Sequence, residues 1–214
     1  MSDTSPLKMH RKGVSRALLL LAAAALLAGC LGATPYVPTR DDEDLFKAKS
    51  ADKMLYETIR KGEYEHFVLI AVFRREIFFA QSSAFEQSSI PVLSEFGNAA
   101  LLLVTPNQVL PMLRDPSLVK AAWFGPQGRL ARLDPSLEFD MLNLFGKGAE
   151  SKPVAIQIMF RDIPKTAEEK AVEAAGFTIL AKAGPTFVIS GPASGIPKLL
   201  DHDGVVYLEK GSFP

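Results

Sequence analysis

Cysteine is nearly absent from this chain: one, Cys30, serves 214 residues. No disulfide can form within it, so the fold has to rest on packing. Net charge is absent too, with Lys plus Arg and Asp plus Glu at 24 each. That balance excludes the broad basic field on which nucleic-acid binding draws. No uncharged apolar run reaches the roughly 20 residues that a bilayer-spanning helix needs. Histidine is scarce, at three residues, and no zinc spacing, glycine-rich phosphate loop or nucleophile elbow is visible. The expectation is a protein that is not an enzyme, without a metal, a cofactor or a nucleic-acid partner.

What is present begins with an uneven charge distribution. Residues 1–29 hold Lys8, Arg11, Lys12 and Arg16 against one acid, Asp3. The remainder keeps 20 basic and 23 acidic residues and is mildly acidic. The basic segment precedes ALLLLAAAALLAGC, Ala17 to Cys30, which suits the apolar core of a signal peptide. Met9 also offers a start, since MHRKGVSR alone makes a compact basic region. The run ends LAGC (Leu27, Ala28, Gly29, Cys30), which resembles the lipobox of bacterial lipoproteins. That resemblance implies cleavage between Gly29 and Cys30 and a covalent lipid, such as palmitate, on the Cys30 thiol. Two or more acyl chains, at about 0.8 kcal/mol per buried methylene, hold a protein stably on a membrane. It further implies a bacterial cell-envelope address, with the periplasmic face of the outer membrane favoured by Leu31 if the organism is Gram-negative.

LGATPYVPT, residues 31–39, reads as a tether. Thr39 and Asp42 form a capping pair for one helix running to a stop at Gly62. Leu45, Ala48, Leu55 and Ile59 recur along it at near-helical spacing, and a solvated spacer is expected. The body then repeats. Sliding the chain by 86 residues aligns Val68–Gly125 with Val154–Gly211 and matches ten of 58 positions, Pro106/Pro192, Pro111/Pro197 and Arg75/Arg161 among them.

In the second copy, Val154–Phe160 reads as a strand and a helix follows from Thr166 as N-cap to Gly176 as stop. FTILAK and TFVIS are strands, PASGIPKLLDH is a short interrupted helix, and VVYLE is a closing strand. The order βαββαβ is the ferredoxin-like pattern. In the first copy the strands are HFVLIAVF, PVLSEF, AALLLVT and LVKAAWF, with a weak helix near FAQSSAFEQSS. DPSLEFDMLNLFG, with Asp134 as N-cap, Pro135 behind it and Gly146 as stop, is a connecting helix. The expected fold is α+β: a lipoprotein signal peptide (1–29), a lipidated tether and spacer helix (30–62), two tandem ferredoxin-like domains (63–126 and 153–214), and a linker with a connecting helix (127–152).

The second copy, from its MFR strand end through AAGFTIL and TFVIS to DGVVYLEK, resembles the inhibitor I9 family. These are the propeptide domains of subtilisin-like serine proteases and their free-standing inhibitor relatives. The family's closing pattern is met by Gly204, Val205, Val206, Tyr207, Leu208 and Glu209. The resemblance covers Pro153–Lys210 and, more faintly, Phe67–Phe124. It implies that the sheet face packs on a protease while the segment after the last strand lies extended in the cleft, binding by β-augmentation. Here that segment is Glu209, Lys210, Gly211, Ser212, Phe213 and Pro214, with Phe213 for an apolar specificity pocket. Terminal Pro214 departs from the family in lacking the N–H that a cleft would pair. With no protease domain following, action in trans is expected, as inhibitor or chaperone of a subtilisin-like protease. The alternatives are an assembly lipoprotein contacting another envelope protein, or a small-molecule sensor built from paired ferredoxin-like domains.

Other features point elsewhere. His202 between Asp201 and Asp203 has the composition of a metal or acid–base cluster, although such residues are also ordinary turn formers. GPASG resembles a phosphate loop without its spacing or lysine. Arg75 and Arg161 are expected to pair with Glu76 and Asp162, and Trp123 and Phe124 to end a buried strand.

Overall fold

The computed structural model describes residues 39–49, 51–74 and 89–212, all within one compact unit, Tyr36–Pro214. The chain is α+β, with two four-stranded antiparallel sheets. The expected signal peptide, most of the tether and most of the FAQSSAFEQSS helix lie outside the described residues.

Two helices, not one, precede the first sheet: α1 (Arg40–Ala48) and α2 (Lys53–Lys61). Thr39 caps α1 through the predicted box, accepting from the Asp42 N–H at 3.3 Å while Asp42 Oδ2 accepts from the Thr39 N–H at 3.0 Å. The break has a local cause. Asp52 caps α2 through the Met54 and Leu55 N–H groups, and its own N–H bonds to the Ala121 carbonyl at 3.2 Å. Phe46, Leu55 and Ile59 are buried, so the pair is no solvated spacer; it covers a sheet face.

The first sheet is β1 (Phe67–Phe73), β2 (Val92–Phe96), β3 (Ala99–Val104) and β4 (Leu118–Gly125), ordered β2-β3-β1-β4, with α3 (Pro106–Leu113) between the last two. A 3-10 helix (Gln127–Arg132) and α4 (Pro135–Gly146) lead to the second sheet. Its elements are β5 (Pro153–Phe160), α5 (Thr166–Ala174), β6 (Thr178–Ala183), β7 (Thr186–Pro192), α6 (Ile196–Leu200) and β8 (Val205–Lys210), and the order β6-β7-β5-β8 repeats the first. The α5 cap lies one residue earlier than expected: the Lys165 N–H donates to Glu168 Oε2 at 2.8 Å.

The repeat runs at an offset of 87, not 86. Ile70 pairs with Leu101 and Ala122; Gln157, 87 residues on, pairs with Val188 and Glu209. The Arg74 N–H bonds to Ser117 O, and the Arg161 N–H to Gly204 O, both at 2.9 Å. Because strand side chains alternate, the one-residue correction moves every aligned position to the opposite face. It also makes Arg74 the counterpart of Arg161. The repeated unit begins earlier as well. The Asp134 N–H bonds to Leu208 O at 2.9 Å just as Asp52 bonds to Ala121, so α2 and α4 are the same element. Each capping aspartate also joins the outer edge of its half's last strand, the edge strand of its sheet.

The layers follow. One face of the first sheet (Leu69, Ala71, Leu102, Trp123) packs under α1, α2 and α3. Its other face (Val68, Ile70, Val72, Leu101) joins a second core with Leu137, Met141 and Phe145 of α4 and with Ile156, Ile158 and Phe187 of the second sheet. α4 touches β1, β2 and β3 on one side and β8 on the other. The outer face of the second sheet carries Gln157, Met159, Val188, Ser190, Tyr207 and Glu209, and none of these joins either core.

Candidate functional site

Positions related by 87 residues expose the difference between the halves. Ile70, Val72 and Leu101 are buried, whereas their counterparts Gln157, Met159 and Val188 line the outer face half-buried or exposed; only Ala155, the counterpart of Val68, stays buried there. Met159 is 41% exposed, and Leu180, set out by a bulge in β6, is 40% exposed. The face is thus mixed: a few apolar side chains among Gln157, Ser190 and Glu209. Burial, with the carboxylates of Asp134 and Glu209, pushes the Tyr207 phenol up, and its hydroxyl bonds to Asp134.

The proposed tail starts later than the sequence suggests. Glu209 and Lys210 lie within β8, paired with Gln157 and Ile156, and Lys210 Nζ is 2.6 Å from Asp140 of α4. Gly211 extends the ladder, its N–H bonding to Ala155 O at 2.9 Å. A Cβ at Gly211 would stand 3.0 Å from the Ile156 backbone, so glycine suits this close approach. Ser212 is exposed and leaves the sheet. Phe213 and Pro214 lie outside the described residues, as do Gly29 and Cys30.

The DHDG turn holds no metal cluster. His202 Nδ1 accepts from the Gly204 N–H at 3.1 Å, and its counterpart Asp115 accepts from the Ser117 N–H at 2.7 Å. Both residues therefore close the same kind of turn. Asp201 is ion-paired with Arg129; burial raises its carboxyl and the Arg129 charge works against that rise. Arg132 Nη1 donates to Val205 O at 2.9 Å, tying the 3-10 helix to this turn. Lys49 does likewise at the first turn, donating to Asp115 O and Leu118 O at 2.7 Å. Among the described residues no group of three or more His, Cys, Asp or Glu side chains is placed to hold a metal.

The glycines of GPASG serve packing. A Cβ at Gly191 would lie 2.7 Å from Gly176 O, and one at Gly195 would lie 2.4 Å from Ala175 O, with the Phe177 ring close to both. The Arg161 guanidinium makes no ion pair among the described residues, so the expected contact with Asp162 is not formed. Arg75 and Glu76 lie outside them. Trp123 is buried against Tyr64 and Phe67, as expected, with ring centroids 5.5 and 5.1 Å away.

Among the described residues two surfaces stand out as candidate sites: the outer sheet face ending at Ser212, and a cleft of about 440 Å³ that residues of both halves line. Sequence reasoning missed the cleft because its walls meet only in the folded chain, and periodicity does not report such a meeting. Among the described residues no helix is long and apolar enough to cross a membrane. The chain matches no protein-family model, and comparison with curated proteins and with solved structures gave no match.

Proposed function

We propose that this chain is a lipid-anchored binding protein of the bacterial envelope, built from two ferredoxin-like units. The second unit would bind a partner protein through its outer sheet face and the segment after β8, and inhibition of a subtilisin-class protease is the sharpest form of this reading. The observation that carries it is the contrast between the two sheets, since the first is covered on both faces and the second presents one face outside both cores. A mixed polar and apolar surface of this kind fits a reversible interface, which is about as apolar as ordinary protein surface. The LAGC sequence with the chain's one cysteine supports anchoring, and Cys30→Ser should abolish fatty-acid labelling.

The test is inhibition of a panel of subtilisin-class proteases by residues 31–214. A form ending at Gly211 and the face variant Gln157→Arg/Met159→Asp should each lose at least roughly tenfold in potency, the scale of one lost hot spot. No inhibition of any protease, or equal potency in all three forms, would overturn it.

A further inference from the structure

The cleft between the halves has a composition of its own. Met54 of α2, 48% exposed, lines it together with the edges of Trp123 of β4 and Pro197 of α6, both otherwise buried, and they give it an apolar side. Three carboxylates reach it, and all three are engaged. Asp52 Oδ1 caps α2 while its Oδ2 accepts from the Trp123 N–H at 3.2 Å. Glu57 pairs with Arg60 at 2.8 Å, and Asp201 pairs with Arg129. The two cations lining the cleft, Lys53 and Lys198, are exposed and make no ion pair among the described residues. Asp52 keeps its charge although both its oxygens are occupied, so the polar groups left free to take a ligand are the two ammonium groups, beside an apolar wall. A cleft of about 440 Å³ also falls within the range of small-molecule sites, which favour the junctions between structural units.

We infer that this cleft binds an amphiphilic organic anion, a medium-chain carboxylate in its simplest form. The apolar body lies on Met54, Trp123 and Pro197, and the carboxylate is held by Lys53 and Lys198. Neither the outer sheet face nor the segment after β8 takes part, so the site stands or falls independently of the protein-binding reading.

Trp123 is the chain's only tryptophan, so its emission reports the cleft directly. Titration of the soluble chain (residues 31–214) with decanoate should give a saturable change that weakens as salt is raised. Decan-1-ol, which keeps the chain and lacks the charge, should bind roughly tenfold more weakly, as expected for two exposed ion contacts. The double variant Lys53→Gln/Lys198→Gln should weaken decanoate by a similar factor and leave decanol binding unchanged. Both lysines are exposed, so this variant should keep the parent's thermal midpoint, and the form ending at Gly211 should respond like the parent. Absence of a saturable response, equal binding of acid and alcohol, or an unchanged decanoate affinity in the double variant would overturn the inference.

Discussion

His202 shows how a residue's chemistry can mislead when its hydrogen bond is not known. The imidazole nitrogen closes a turn that Asp115 closes with a carboxylate oxygen in the first half. A side-chain acceptor is what that position requires, so His202→Asn should keep stability within about 0.5 kcal/mol, whereas His202→Ala should cost about 1 kcal/mol. Urea unfolding of the two variants checks this, and equal losses would remove the acceptor role. A second residue-scale feature is Glu150, whose carboxylate meets Lys120 and whose Oε2 has no hydrogen-bond partner. Burial acts to raise its carboxyl, but the Lys120 hydrogen bond, a backbone hydrogen bond from Glu150 itself and the Lys120 charge together override that and hold it below the ordinary value of 4.5. A depressed carboxylate stabilises the fold in full above about 4.5, and that stability is lost as pH falls through the lowered value. Lys120→Met removes the partner and should cost about 2 kcal/mol near neutrality, less than for a fully buried pair because Glu150 stays about a fifth exposed. The gap between variant and parent should narrow on acidification, as protonated Glu150 no longer needs the lysine. Unfolding curves between roughly pH 6 and pH 3 test the sign.

At the scale of elements, most of the strands and the second-half helices were legible in the sequence. Alternation, proline placement and glycine stops are local signals, and they located β1–β8 and α4 to within a residue or two. What was not legible was the register between the halves. The matched prolines favoured an offset of 86, but β-ladders are set by cross-strand packing, and those ladders repeat at 87. The equivalence of the spacer and the connector likewise rests on contacts distant in sequence, those of Asp52 with Ala121 and of Asp134 with Leu208. Each aspartate caps a helix and docks its start on a strand edge. Asp52→Ala and Asp134→Ala should therefore behave alike, each costing about 1–2 kcal/mol, with Asp→Asn at either site retaining most of the stability. If Asp134→Ala proved neutral while Asp52→Ala did not, the two helices would not be equivalent elements.

Over the whole molecule, the two sheets differ in what covers them. Each half sets its helices on one sheet face, and the helical side of the second half lies over the bare face of the first. One bare face is therefore consumed inside the molecule, and the other joins no core among the described residues. The residues differ accordingly: Ile70 sits in a closed core with no exposure, while Gln157, at the same place in the second sheet, is half-buried on the outer face. Matched substitutions should separate the two roles. Ile70→Gln places an unsatisfied amide in the core and should cost several kcal/mol, about 3 or more. Gln157→Arg changes only a surface and should fall within about 0.5 kcal/mol. Calorimetry of both variants decides whether the outer face is free in solution. A large loss for Gln157→Arg would show that something in the chain already covers it, which would remove the surface on which partner binding depends.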